Sequence, residues 1–185
     1  MSAVSRLERW WLDAWPHRWH VRRFVPRLLR SCPEPFRGEV LEVGSGSGWT
    51  SRRILETFPQ VELTAVDVDA RAQQWFVPLQ ERFGRRLRFI QADALALPFD
   101  RASFDVVLAI HVLHHVADPR AAVRQFLRVL RPGGLIGLGG SQPPRAAVES
   151  LVSEEGGSVV MSRGRRLYQL WARKPYAEGE NIVYT

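Results

Sequence analysis

The sequence predicts an α/β chain built on a doubly wound, mostly parallel sheet with helices on both faces. Three observations carry that prediction. After residue 38, short apolar runs alternate with helical patterns, the signature of parallel βαβ units. A glycine-rich turn, Gly44-Ser45-Gly46-Ser47-Gly48, follows the first of these runs directly. Near the end, two short strands joined by Ser162-Arg163-Gly164-Arg165 read as a hairpin, which adds one antiparallel strand.

The elements follow in order. Val40–Val43 is a short apolar strand, and Trp49–Phe58 reads as a helix closed by Pro59. Val61–Val66, rich in β-branched residues, is the next strand and ends at Asp67. Ala70–Phe83 is helical, with Pro78 marking a kink. Leu87–Ile90 and Phe104–Ile110 are the third and fourth strands. From Asp118 to Leu130 the helix signals agree: Asp118 caps, Pro119 suits the first turn, and Pro132-Gly133-Gly134 stops it. Val123, Phe126, Leu127 and Leu130 follow i, i+3, i+4, i+7, so one face packs on a sheet. Leu135–Leu138 is a fifth strand, Ala146–Glu155 a helix ended by Gly156-Gly157, and Ser158–Met161 and Leu167–Ala172 form the hairpin.

The first 35 residues differ in character. Trp10, Trp11, Trp15 and Trp19 stand among arginines, interrupted by Pro16 and Pro26, and as a helix Leu7, Trp11 and Trp15 share a face. Such a segment is expected to cover the sheet or a substrate pocket. The competing expectation is an interfacial membrane contact, which tryptophan with arginine favours, although the prolines argue against one long amphipathic helix.

At 185 residues, 45% hydrophobic and 24% charged, the chain reads as one globular domain. Its single cysteine, Cys32, excludes an internal disulfide framework and a cysteine-built zinc site, and suits a reducing compartment. No segment approaches the roughly 20 apolar residues of a membrane span, and the N-terminus lacks a signal-peptide core, so a cytoplasmic location is expected. The net charge is +7, with Lys174 the only lysine. That skew reflects codon composition rather than selected chemistry. Because the arginines are spread along the chain instead of forming one basic block, a nucleic-acid partner is not expected.

In an open parallel sheet, ligands bind beyond the carboxyl ends of the strands where the connections reverse. Gly44, Gly46 and Gly48 let the backbone approach a ligand there. Asp67, at the end of the second strand, can accept from both hydroxyls of a ribose. Asp93, after the third strand, can accept from an adenine amino group. His111 follows the fourth strand at the same crevice. A dinucleotide fits poorly. Its fingerprint needs a third glycine where Trp49 stands, and Glu42 inside the preceding strand repels pyrophosphate but suits a cation. No Walker-type phosphate loop is present. A nucleoside carrying positive charge instead of phosphates fits better.

Glu42-x-Gly44-x-Gly46-x-Gly48, Asp67, Gln91-Ala92-Asp93, Leu97-Pro98-Phe99, Ser103–Val107, Leu113-His114-His115-Val116 and Arg128–Gly134 together resemble a class I S-adenosylmethionine-dependent methyltransferase of the small type 11 subgroup. The resemblance covers residues 36–175, which would be the cofactor-binding domain between the 1–35 segment and a 176–185 tail. It implies a Rossmann-like sheet of seven strands, with strand seven antiparallel. It also implies that Gly44, Gly46 and Gly48 line the methionine part of S-adenosyl-L-methionine, with Glu42 near its amino group. Asp67 would bind the ribose. Asp93 and the backbone of Ala94 would bind adenine, and Phe99 and Ile110 would enclose it.

Methyl transfer from a sulfonium needs alignment, exclusion of water and, for some acceptors, a general base. His111 is the candidate base or acceptor contact, ahead of His114 and His115, which are expected to pack. His111 and His115 with Asp118 make at most half a metal site, so no metal is expected. Ala109-Ile110-His111-Val112 stands where methyltransferases of base amines and of glutamine carry [DN]-P-P-[YF]. The expected partner is therefore a small hydrophobic or aromatic acceptor, methylated on oxygen, carbon or nitrogen. Two alternatives remain open: a non-catalytic binding module or partner subunit, and a membrane-surface enzyme for a lipid or quinone.

Overall fold

A computed structural model describes residues 15–176, with side chains from Arg23 to Tyr176. Seven strands form one sheet: β1 (Gly38–Val43), β2 (Val61–Asp67), β3 (Leu87–Gln91), β4 (Phe104–Ile110), β5 (Leu130–Gly140), β6 (Ser158–Arg163) and β7 (Tyr168–Arg173), in the order β3-β2-β1-β4-β5-β7-β6. Neighbours from β3 to β5 are parallel, and β7 runs antiparallel to both β5 and β6. The chain steps from β1 outward to β3, then crosses back to lay β4 on the other side of β1. The switch point is therefore between β1 and β4, where a parallel sheet opens a crevice at its carboxyl edge.

Side chains alternate across the strands. Leu41, Val43, Val107 and Ala109 pack on one face with α4 (Pro119–Val129) and α5 (Arg145–Glu154). Val40, Leu63, Ala65 and Leu108 pack on the other with α1 (Trp15–Arg30), α2 (Trp49–Thr57) and α3 (Gln73–Phe83). The cap of α4 forms as its sequence predicts: the Ala121 N–H donates to Asp118 Oδ1 at 3.0 Å, and Val123, Phe126 and Leu127 are buried.

The structure departs from the sequence-based expectations at four points. Helix α4 ends at Val129, before Pro132-Gly133-Gly134, and Leu130 is already extended at the head of β5. Arg131, the residue before Pro132, avoids the helical region, and Leu130, fully buried, pairs with Phe104. Ala70–Ala72 is a separate 3₁₀ turn ahead of α3, which continues through Pro78. Helix α1 likewise runs through Pro26. A proline inside a helix costs about 3 kcal/mol. Phe24, Val25, Leu28 and Leu29 are all buried around it, each contributing about 1.5–3 kcal/mol, so tertiary packing outweighs the local penalty. Finally, β1, β5 and β6 extend further than their apolar cores predict.

Trp171 fastens α1 to the sheet. Its ring is fully buried, and its Nε1–H donates to Leu28 O and to Ser31 Oγ, both at 3.2 Å. Leu7, Trp10 and Trp11 lie outside the described residues, as do residues 177–185 of the tail and the side chains of Trp15 and Trp19. Among the described residues no helix is long and apolar enough to cross a membrane.

Candidate active site

The chain turns sharply at the end of β1, in the middle of the sheet. The N–H groups of Gly44 and Ser45 both donate to Val66 O, at 2.9 and 3.0 Å, which pins the turn to β2. Gly44 has φ +70°, and a Cβ there would stand 2.4 Å from Val112 Cγ2. Only glycine satisfies both the conformation and the space. Gly46, at φ +51°, faces open space with nothing within 4 Å of where a Cβ would be, so a ligand can reach its backbone. Gly48 ends the turn and precedes α2. Between them Ser45 is 6% exposed, and its buried Oγ has no hydrogen-bond partner among the described residues.

Glu42 lies within β1 on the α2 side of the sheet and is 4% exposed. The Ser51 hydroxyl, in the first turn of α2, donates to Glu42 Oε2. Burial pushes the Glu42 carboxyl up to about 8; the Ser51 bond opposes that rise and the Asp67 charge adds to it. A buried acid with one hydroxyl partner and a second carboxylate nearby is a place where a cation gains and an anion does not.

Asp67 ends β2 with its carboxylate turned back on the glycine turn. It accepts from the Gly46 N–H at 2.8 Å and from the Asp69 N–H at 3.0 Å. The two predicted carboxylates, Glu42 and Asp67, are thus brought to the same turn. Asp93 follows β3, and one of its oxygens accepts from the Leu95 N–H at 2.9 Å, so it caps its own loop. The other oxygen takes no hydrogen bond among the described residues. Ala94 beside it is buried. Phe99 packs edge-on against Phe104, with ring centroids 5.0 Å apart, on the α4–α5 side; Ile110 packs with the core on the α1–α3 side. The fold does not bring those two residues into one cluster.

His111 follows β4 with φ +58°, a left-handed conformation unusual for a residue with a side chain. Its N–H donates to Gly139 O at 2.7 Å, joining it to the end of β5. Its ring lies 5.6 Å from that of Phe24 in α1 and 6.3 Å from that of His114; the His114 and His115 rings are 3.9 Å apart. No three His, Cys, Asp or Glu residues among those described gather as a metal would require.

Three residues contribute through contacts that the motifs do not show. Ser51 partners Glu42 and was legible only as a hydroxyl one turn into the helix after the glycines. Arg128 of α4 donates to Leu97 O at 2.8 Å and Phe99 O at 2.7 Å, so it clamps the loop that carries Asp93. Phe24 reaches His111 from a helix far away in sequence, and no local signal announces it.

These residues suit S-adenosylmethionine. Open backbone at Gly46, the unpartnered Ser45 Oγ and the buried Glu42 acid could hold a charged amino-acid end, and Asp67 and Asp93 a nucleoside.

Residues 41–138 match the family described as methyltransferase domain. The 27-O-demethylrifamycin SV methyltransferase of Amycolatopsis mediterranei is 32% identical over 86% of this chain and 61% of its own length. The demethylmenaquinone methyltransferase of Thermus thermophilus is 33% identical over 70% of this chain and 57% of its own. The chain thus spans about three-fifths of these relatives. Among solved structures, the [4+2]-cyclase SpnF superposes with a TM-score of 0.75 at 18% identity, covering 84% of this chain and 81% of that one. A SAM-dependent methyltransferase from Aquifex aeolicus gives 0.70 at 14%, covering 82% and 89%. At such identities those two likenesses speak for the fold alone. By its family match, the chain belongs to the class I S-adenosylmethionine-dependent methyltransferases, in the type 11 domain subgroup.

Proposed function

We propose that the protein transfers the methyl group of S-adenosylmethionine to a small hydrophobic or aromatic acceptor. The observation that carries this reading is the buried Glu42, set beside Asp67 at the glycine turn of the switch point. That arrangement favours a cationic adenosyl ligand over a pyrophosphate.

The donor supplies a methyl group on a sulfonium, reactive enough that the protein's work is alignment and exclusion of water. Glu42 holds the ammonium of the methionine part, and the Gly44–Gly48 backbone lies along it. Asp67 takes the ribose hydroxyls on the lone pairs that its two backbone donors leave open. Asp93 and the Ala94 backbone read the adenine, with Phe99, which packs in the same cluster as Ala94, as its apolar neighbour. His111, held by Gly139, meets the acceptor and takes its proton where the acceptor is acidic.

A relative named for 27-O-demethylrifamycin SV and another named for demethylmenaquinone favour an acceptor with a large apolar or aromatic body. The test is homocysteine release, coupled from S-adenosylhomocysteine, across phenol, enol, amine and quinol acceptors. Turnover on one class supports the reading. Donor binding with no turnover on any class would make the chain a binding module or partner subunit.

The demethylmenaquinone relative also favours a second reading, an enzyme working at a membrane surface. It predicts vesicle co-sedimentation that is lost on deleting residues 1–14, a deletion that leaves the buried Phe24 and Val25 in place.

A further inference from the structure

The carboxyl edge of the sheet continues past His111. His111 bonds to Gly139 of β5, Gly139 pairs with Gln169 of β7, and Gln169 pairs with Arg163 of β6. Strands lie about 4.8 Å apart, so three spacings put Arg163 on the order of 14 Å from His111 along this edge. Here the sheet opens into a groove of about 860 Å³ lined by Arg23, Phe24, Arg27, Arg163, Leu167 and Gln169. Phe24 belongs to both places, since its ring also stands 5.6 Å from His111.

The chemistry of the groove is one-sided. No carboxylate lines it among the described residues. Arg173 nearby is paired with Glu34, and Arg120 and Arg124 with Glu155, whereas Arg27 and Arg163 enter no ion pair with any described residue. Arg163 Nε donates to Gln169 Oε1 at 2.9 Å. A guanidinium can only donate, so the amide oxygen must face it. Arg163 Nη2 also donates to the Arg27 carbonyl at 3.5 Å, so the two arginines stand side by side. Two guanidinium groups beside an aromatic ring match an anion on an apolar body.

We propose that this groove holds the acidic end of the methyl acceptor, a carboxylate or phosphate gripped by Arg27 and Arg163, with the apolar body along Phe24 and Leu167 and the reacting atom towards His111. The proposal rests on the methyltransferase reading and narrows its substrate class to soluble aromatic or apolar acids. Arginine forks bind both anions in two-pronged fashion. Because both arginines are exposed, the grip weakens with salt.

The test titrates the full chain with benzyl phosphate and with neutral benzyl alcohol, each with and without S-adenosylhomocysteine. Arg27→Gln and Arg163→Gln are run beside Arg52→Gln, an exposed control outside the groove. Benzyl phosphate is expected to bind at least tenfold more tightly than the alcohol. Each groove substitution should weaken it five- to thirtyfold, the control less than twofold, and S-adenosylhomocysteine affinity should stay within twofold throughout. Equal binding of the two probes, no phosphate binding, or unchanged binding in both groove variants overturns the proposal. So does binding of phosphatidylglycerol vesicles that depends on Arg27 and Arg163 while benzyl phosphate is ignored, because the arginines then serve a membrane surface. Absent S-adenosylhomocysteine binding with an intact phosphate response would instead overturn the methyltransferase reading and leave an anion site of another kind.

Discussion

Replacing Glu42 by glutamine keeps the shape and the Ser51 contact but removes the ionisable group, and it should move stability and donor binding in opposite directions. Burial holds the carboxyl up at about 8, against an ordinary value of 4.5. Between those values the folded chain binds a proton that the unfolded chain has lost, so stability falls as pH rises through the window. Each pH unit is worth about 1.4 kcal/mol, which sets a ceiling on the order of 5 kcal/mol by pH 8. Below pH 4.5 the penalty is absent. Urea melts at pH 5 and pH 8 should therefore show the unliganded wild type losing more stability than Glu42→Gln over that interval. Donor binding reverses the preference. A bound ammonium needs the carboxylate, and at pH 7 a group titrating at about 8 is protonated in roughly nine molecules of ten. Binding should then release close to one proton per chain, read as the difference in calorimetric enthalpy between phosphate and Tris buffers. Glu42→Gln should release none and bind at least tenfold more weakly. Parallel stability profiles, or equal proton release in the two proteins, would mean that Glu42 is neither a buried acid nor the partner of the donor.

His111→Ala should lower kcat by about 10²-fold or more, as loss of a general base does, while donor affinity measured by calorimetry stays within twofold. Equal loss of both, or of neither, contradicts a role towards the acceptor. Arg128→Ala removes two charge-assisted bonds to the Leu97 and Phe99 carbonyls, each worth about 1.5–3 kcal/mol. Faster amide exchange over residues 93–99 and weaker S-adenosylhomocysteine binding are expected, with kcat at saturating donor nearly unchanged. Trp171→Ala, at the junction of α1 and β7, should cost about 3–5 kcal/mol in urea unfolding. Trp171→Phe, which keeps most of the packing and loses the N–H bonds, should cost distinctly less.

What could be read from the chain is what local chemistry determines. Strand β4 matches its predicted span of Phe104–Ile110 because an apolar run broken only by Asp105 and flanked by turn residues admits few alternatives. The cap at Asp118 is equally local. The glycine turn, Asp67 and Asp93 could be assigned to one edge because a parallel sheet sends every strand's carboxyl end to the same side. The failures are tertiary. Pro26 signals a break, but the cost of keeping the helix is small beside the apolar surface that α1 buries on the sheet. Pro132-Gly133-Gly134 signals a helix end, yet the pairing of Leu130 with Phe104 ends the helix earlier. Within the site, Glu42 and Trp49 are visible in the sequence as reasons to expect a cation over a pyrophosphate, but the hydroxyl that supports Glu42 and the arginine that clamps the Asp93 loop are not. Those are contacts between elements, and no periodicity encodes them. Phe99 and Ile110 show the same limit: both are apolar and near the edge, yet they pack with different cores on the two sides of the sheet.

A turn at Gly44–Gly48 built for an adenosyl sulfonium should take that ligand and refuse a dinucleotide. Calorimetric titration of the full chain with S-adenosylmethionine, repeated in the presence of NAD⁺, tests it most directly. One site per chain is expected, competed by S-adenosylhomocysteine and untouched by NAD⁺. Absence of S-adenosylmethionine binding, or its displacement by NAD⁺, would contradict it.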